Sequence, residues 1–164
     1  MIEIINDDIF NSNCDYIMHQ CNALGVMGAG IAYVIKKDIS TADFNKYVKL
    51  CEIPYPLIKG DYLVFKSISS KRKYINLISQ EKYGNNKNIC YTDYVAFRNG
   101  IRNILHNGYK HQIRKGSSIA IPYKIGCGLA NGDWNIILNI LEEEYKNMPA
   151  CNKYILKIYK KDNL

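Results

Sequence analysis

Two short stretches of this chain, residues 25–30 and 126–132, each hold three glycines, and each stands between an apolar run of strand length and a run of helix length. A strand that passes through such a turn straight into a helix does not return as a hairpin. The next strand is reached by crossing over the sheet, so it runs parallel to the first. Two turns of this kind about 100 residues apart therefore limit the possible folds more than composition does.

The pattern on either side agrees. Residues 1–6 and 16–21 are strand candidates, the second entered through Asn11-Ser12-Asn13, and residues 31–37 read as a helix after the first glycine cluster. Residues 41–52 read as another helix, with Phe44, Val48 and Cys51 on one face, until Pro54 and Pro56 break it. Then come strands at 61–66 and 74–79, a polar loop at 83–88, and a helix over 92–106 that buries Val95, Phe97, Ile101 and Leu105. A strand at 118–122, a helix over 133–145 and a last strand at 153–159 complete the chain. The expected class is α/β: one domain over 1–164, with a mixed, largely parallel sheet flanked by helices on both faces.

Composition removes several alternatives. With 48% hydrophobic and 23% charged residues the 164-residue chain can bury a core, yet no apolar run approaches the roughly 20 residues needed to span a bilayer. Residues 1–6 carry Glu3 and lack the basic and long apolar parts of a signal peptide, so a cytoplasmic protein is expected. Cys14, Cys21, Cys51, Cys90, Cys127 and Cys151 form no C-x-x-C pair and have no histidine at a zinc-like spacing, which argues for free thiols and no metal. The formal charge of +7 suits an anionic partner, ligand or nucleic acid, but the lysines are dispersed.

Ligands of open α/β sheets collect at the carboxyl ends of strands, where glycine turns let backbone approach phosphate and helix N-termini attract it. The first loop reads H-x-C-N-x-x-G-x-M-G-A-G-I-A over residues 19–32 and the second I-P-x-x-I-G-C-G-L-x-x-x-x-W over 121–134. In these paired motifs the chain resembles the macro domain family, nearest the branch of terminal ADP-ribose protein glycohydrolase and the ADP-ribose 1''-phosphate phosphatases. The resemblance extends from Asn6-Asp7-Asp8-Ile9-Phe10 to Ile158-Tyr159.

The resemblance implies an ADP-ribose site without cofactor or metal, in a monomer. Asp8 would accept the adenine amino group, with the Ile9 backbone beside the ring and Tyr159 against it. Met27, Gly28, Ala29, Gly30 and Ile31, with Ile125, Gly126, Cys127, Gly128 and Leu129, would surround the diphosphate, and Asn22 would face the distal ribose. Each has a plainer alternative: Asp8 as a turn or cap residue, Tyr159 as core or rim, Cys21 and Cys127 as thiols packed beneath the loops. His19 and Asp133 are the candidate proton carriers, against a buried strand histidine and an N-cap aspartate. The related glycohydrolase uses a lysine at the end of the strand over 75–79 and an aspartate in the second loop, where this chain has Gln80 and Ala130; Lys82 is two residues too far along a strand. The expected activity is hydrolysis that frees ADP-ribose from a modified protein or nucleic acid, or phosphate from ADP-ribose 1''-phosphate. A non-catalytic ADP-ribose reader and a nucleic-acid-binding domain are the rival readings.

Overall fold

The computed structural model describes residues 1–161. Six strands form one sheet: β1 (Glu3–Asn6), β2 (Tyr16–Asn22), β3 (Tyr62–Lys66), β4 (Lys73–Gln80), β5 (Ser118–Pro122) and β6 (Ile155–Lys160). Their order is β1-β6-β5-β2-β4-β3, with every neighbouring pair parallel except β3 and β4. The five α-helices are α1 (Gly30–Lys37), α2 (Thr41–Leu50), α3 (Tyr55–Ile58), α4 (Tyr94–Asn107) and α5 (Trp134–Lys146). The fold is the expected α/β arrangement. Among the described residues no helix is long and apolar enough to cross a membrane.

Alternation along the strands divides the core in two. Met18, Ile75, Leu77, Ile119 and Ile121 pack with Phe97, Ile101, Ile137 and Leu141 beneath α4 and α5. Ile17, Cys21, Tyr74, Ile78 and Ala120 face the other way and pack with Ile35, Tyr47 and Ile58 of α1, α2 and α3. Three expectations need correction. Val95 is exposed, because it lies about 200° around the helix from Phe97; the buried face of α4 is Ala96, Phe97, Gly100, Ile101, Ile104 and Leu105. Val48 is also exposed, and Tyr47, between Phe44 and Cys51 in helical spacing, is the residue that α2 buries. The proline pair starts α3 rather than only ending α2: Pro54 precedes its first turn and Pro56 lies within it, where no amide is needed for a helical bond.

Candidate functional site

Strands β2 and β5 are parallel neighbours, and the helices that follow them leave for opposite faces of the sheet. This is the switch point at which an α/β sheet opens a crevice at its carboxyl edge, and both glycine loops lie there.

The first loop is organised by Asn22. Its side-chain oxygen accepts from the amides of Leu24 (3.0 Å) and Val26 (3.3 Å) and from the Tyr47 hydroxyl (3.0 Å), while its amide nitrogen donates to the Val26 carbonyl at 2.7 Å. The side chain expected to face a ribose is thus engaged with the protein, because the turn it closes needs those partners. Met27 is buried and plugs the loop into the α1–α3 side of the core. Gly28, Ala29, Gly30 and Ile31 lead into α1, whose N-cap, Ala29, has no side chain to satisfy the helix end. Tyr33 is the first amide to close a turn, at 3.2 Å from the Ala29 carbonyl, and among the described residues the amides of Gly30, Ile31 and Ala32 have no protein acceptor.

The second loop is tied differently. Ile125 plugs it into the α4–α5 side of the core, and the amides of Ile125, Cys127, Asn131 and Gly132 close its turns internally. Among the described residues the amides of Gly128, Leu129 and Ala130 have no protein acceptor. The left-handed glycine is Gly126, φ +72°, where a Cβ would come within 2.7 Å of Gln20 Oε1 and 3.0 Å of Thr92 Oγ1. Gly128 has open space and an ordinary φ, so its freedom lies in access and not in backbone conformation. Asp133 caps α5 by accepting from the Asn135 amide at 2.8 Å, which is the plainer of its two readings, and its carboxylate stands exposed next to the loop.

His19 is fully buried, and the structure places it out of reach of a ligand. Its Nε2 lies 2.7 Å from Asn76 Oδ1; since the Asn76 amide donates to the carbonyls of Leu63 and Tyr74, Oδ1 must accept and His19 carries its hydrogen on Nε2. Burial pushes its pKa down to about 4, against the help of the Asn76 bond, so the ring is neutral near pH 7. A proton-transfer role for His19 is withdrawn on this ground. Burial likewise raises the Cys21 thiol well above its usual range, and the Cys127 thiol to about 11. Both are the packed thiols of the plainer reading.

Past the end of β1, Asp8 caps a 3-10 turn over Ile9–Asn11, accepting from Phe10 N at 3.0 Å, and its second oxygen meets Lys161 Nζ at 2.8 Å. Those bonds, the Lys161 bond first, hold its carboxyl below the ordinary range. Tyr159 is buried, its hydroxyl 3.9 Å from Cys14 Sγ, and it lines a cleft of about 240 Å³ with Ile5, Asp7 and Lys157.

Gln80 does end β4, opposite Asn22, after a bulge that leaves Ser79 without a partner on β2. The sequence reading passed over the network this creates. The Ser79 hydroxyl donates to Gln20 Oε1 (2.9 Å), and the Gln20 amide donates to Gln80 Oε1 (2.8 Å) and Thr92 Oγ1 (3.0 Å). The Thr92 hydroxyl donates to the Gly126 carbonyl (2.6 Å), and the Gln80 amide to the Lys82 carbonyl (2.9 Å). A glutamine inside the parallel strand β2 is the signal that the sequence carries, since a polar side chain there needs partners.

The Macro domain family model matches residues 18–141, a span that includes both loops. This chain belongs to the Macro domain family. Its fold is shared with a Bacteroides thetaiotaomicron protein of unknown function, 23% identical with TM-score 0.73 over 98% of each chain. The macrodomain of Mycobacterium tuberculosis DarG is 19% identical, TM-score 0.74, over 99% of each chain. Thermosipho africanus DarTG, solved in complex with ADP-ribose, is 20% identical with TM-score 0.72 over 98% of this macro domain and 42% of that chain. At these identities the likeness is one of fold. No curated protein sequence matches the chain.

Proposed function

We propose that this macro domain binds ADP-ribose, with the diphosphate between its two glycine loops and the adenine at Asp8 and the Ile9 backbone. The observation that carries the reading is two sets of backbone amides without a protein acceptor, at the N-terminus of α1 and at Gly128, Leu129 and Ala130, in the loops that leave the neighbouring strands β2 and β5. Backbone amides suit a phosphate because they add favourable dipoles without a mobile charge. The solved complex of DarTG with ADP-ribose, a protein that shares this fold, supports the choice of ligand. Calorimetric titration tests it: saturable binding of ADP-ribose is expected, tighter than that of AMP.

Hydrolysis is the finer reading, and Asp133 is the group that supports it. Gln80 has both amide atoms engaged and is no amine, Ala130 has no acid, and His19 is enclosed. Asp133, exposed at the edge of the second loop, is then the carboxylate left to accept a proton from water attacking at the distal ribose or its phosphate. Asparagine is an equally good N-cap, so Asp133→Asn should abolish release from ADP-ribose 1''-phosphate or from ADP-ribosylated protein and nucleic acid without unfolding α5. Wild-type protein that binds ADP-ribose yet releases nothing across that panel is a reader. The saturated Gln80 favours this second reading.

A further inference from the structure

The segment between Gln80 and α4 reads in sequence as an unremarkable polar loop, yet it grips the second glycine loop at both ends of its open amides. The Thr92 hydroxyl donates to the Gly126 carbonyl, and the amides of Tyr91 (2.8 Å) and Thr92 (3.3 Å) donate to the Ala130 carbonyl. Between those two carbonyls lie the amides of Gly128, Leu129 and Ala130. Further out, the Asn131 side chain donates to the carbonyls of Asn86 (2.9 Å) and Ile89 (2.8 Å), which docks the same segment a second time.

We propose that Thr92 is a positioning residue for diphosphate binding, and that residues 81–92 form a strap that holds the second loop's amides in their ligand-facing arrangement. Thr92 is buried, and the hydrogens around it have one consistent direction: Gln20 donates to Thr92, and Thr92 to Gly126. Turned inward by Thr92 and by the Gly132 amide, the Gly126 carbonyl is kept from the crevice, where a carbonyl oxygen would repel phosphate. Removing the hydroxyl leaves the Gly126 carbonyl with one donor and frees the hinge of the loop. The effect reaches the diphosphate and not the adenine, whose residues lie at the end of β1.

This inference rests on the ADP-ribose reading, and the test separates the two. Wild type, Thr92→Val and Thr92→Ser are titrated with ADP-ribose and with adenosine, which lacks the diphosphate, and melting is recorded for each. Thr92→Val should weaken ADP-ribose about fivefold or more, the scale of one lost hydrogen bond, with adenosine unchanged, and Thr92→Ser should restore it. In ligand-free Thr92→Val the Gly132 amide should exchange faster with deuterium, which a side chain filling space alone would not produce. If Thr92→Val does not fold, Gln20→Met removes the donor behind Thr92 and carries the same expectation. Thr92→Val binding ADP-ribose as wild type does, or an equal loss for both ligands, overturns the strap. Wild type that fails to bind ADP-ribose overturns the reading beneath it.

Discussion

The two glycine loops present the same groups to the same crevice but are built in opposite ways. The first is held from within: Asn22 closes the turn it belongs to, and the unpaired amides belong to a helix end that no side chain caps. The second is held from outside, by Gln20 and Thr92 of distant segments; its helix end is occupied by Asp133, so its free amides lie in the loop itself. The difference teaches that an anion site can be assembled either from local capping defects or from a turn pinned by remote bonds. The second kind depends on residues far from the loop in sequence.

The sharpest way to break the comparison is Gly128→Glu, which puts a carboxylate among the second loop's amides. Binding of ADP-ribose should fall beyond detection, on the order of a hundredfold or more, since charge and volume both oppose the diphosphate. Because Gly128 has open space and no positive φ, the melting temperature should stay near that of wild type. A folded variant with wild-type affinity would make the second loop a mere turn.

Asn22→Ala attacks the first loop through its single organiser. It leaves two amides short of an acceptor, while the Tyr47 hydroxyl keeps the backbone carbonyl of residue 22 (2.7 Å), and about 2 kcal/mol of stability should go with it, measurable by urea denaturation. Adenosine and ADP-ribose should then be read together: loss confined to ADP-ribose places the damage at the diphosphate.

Acid should weaken the side of β2 that faces α1, α2 and α3, where His19 lies with Cys21. Folded His19 takes its proton only near pH 4, whereas an unfolded histidine does so near 6.5, so between these values the unfolded chain binds more protons. That stability is complete above about pH 6.5 and is lost as pH falls towards 4, by an amount of order 2 to 3 kcal/mol. Histidine ring NMR signals that show a charged His19 in folded protein at pH 6 would contradict this.

The smallest effect is expected at Lys161, whose exposed ion pair occupies the Asp8 oxygen assigned to adenine. Lys161→Ala should raise adenosine affinity no more than about fivefold, since surface pairs contribute ~1 kcal/mol or less. A large loss instead would mean that Lys161 itself holds the ligand.

The architecture was legible because it depends on local pattern: strand and helix lengths, and glycine turns at their junctions. Met27 and Ile125 are expected from their motifs beside the diphosphate, and only the fold shows both buried in the core beneath their loops. What could not be read was which polar atoms are already spent. Asn22 stands where a ribose ligand is expected, and only the fold, by folding Val26 back and bringing up Tyr47 from α2, shows it engaged. His19 shows the same limit, for its burial depends on Asn76, 57 residues away on β4. Thr92 fits the pattern as the first residue of a helix that Asp93 in fact caps, and its hydroxyl's partner lies on another strand's loop.

Met27 and Ile125 enter the core from opposite sides of the sheet. The crevice therefore has two foundations with the sheet as a wall between them, and looseness in one is not transmitted directly to the other. Packing among α1, α2 and α3 can change over generations while the grip of the second loop stays as it was, and the α4–α5 side can do the same for the first. A domain laid out in this way can repack the foundation of one loop without disturbing that of the other.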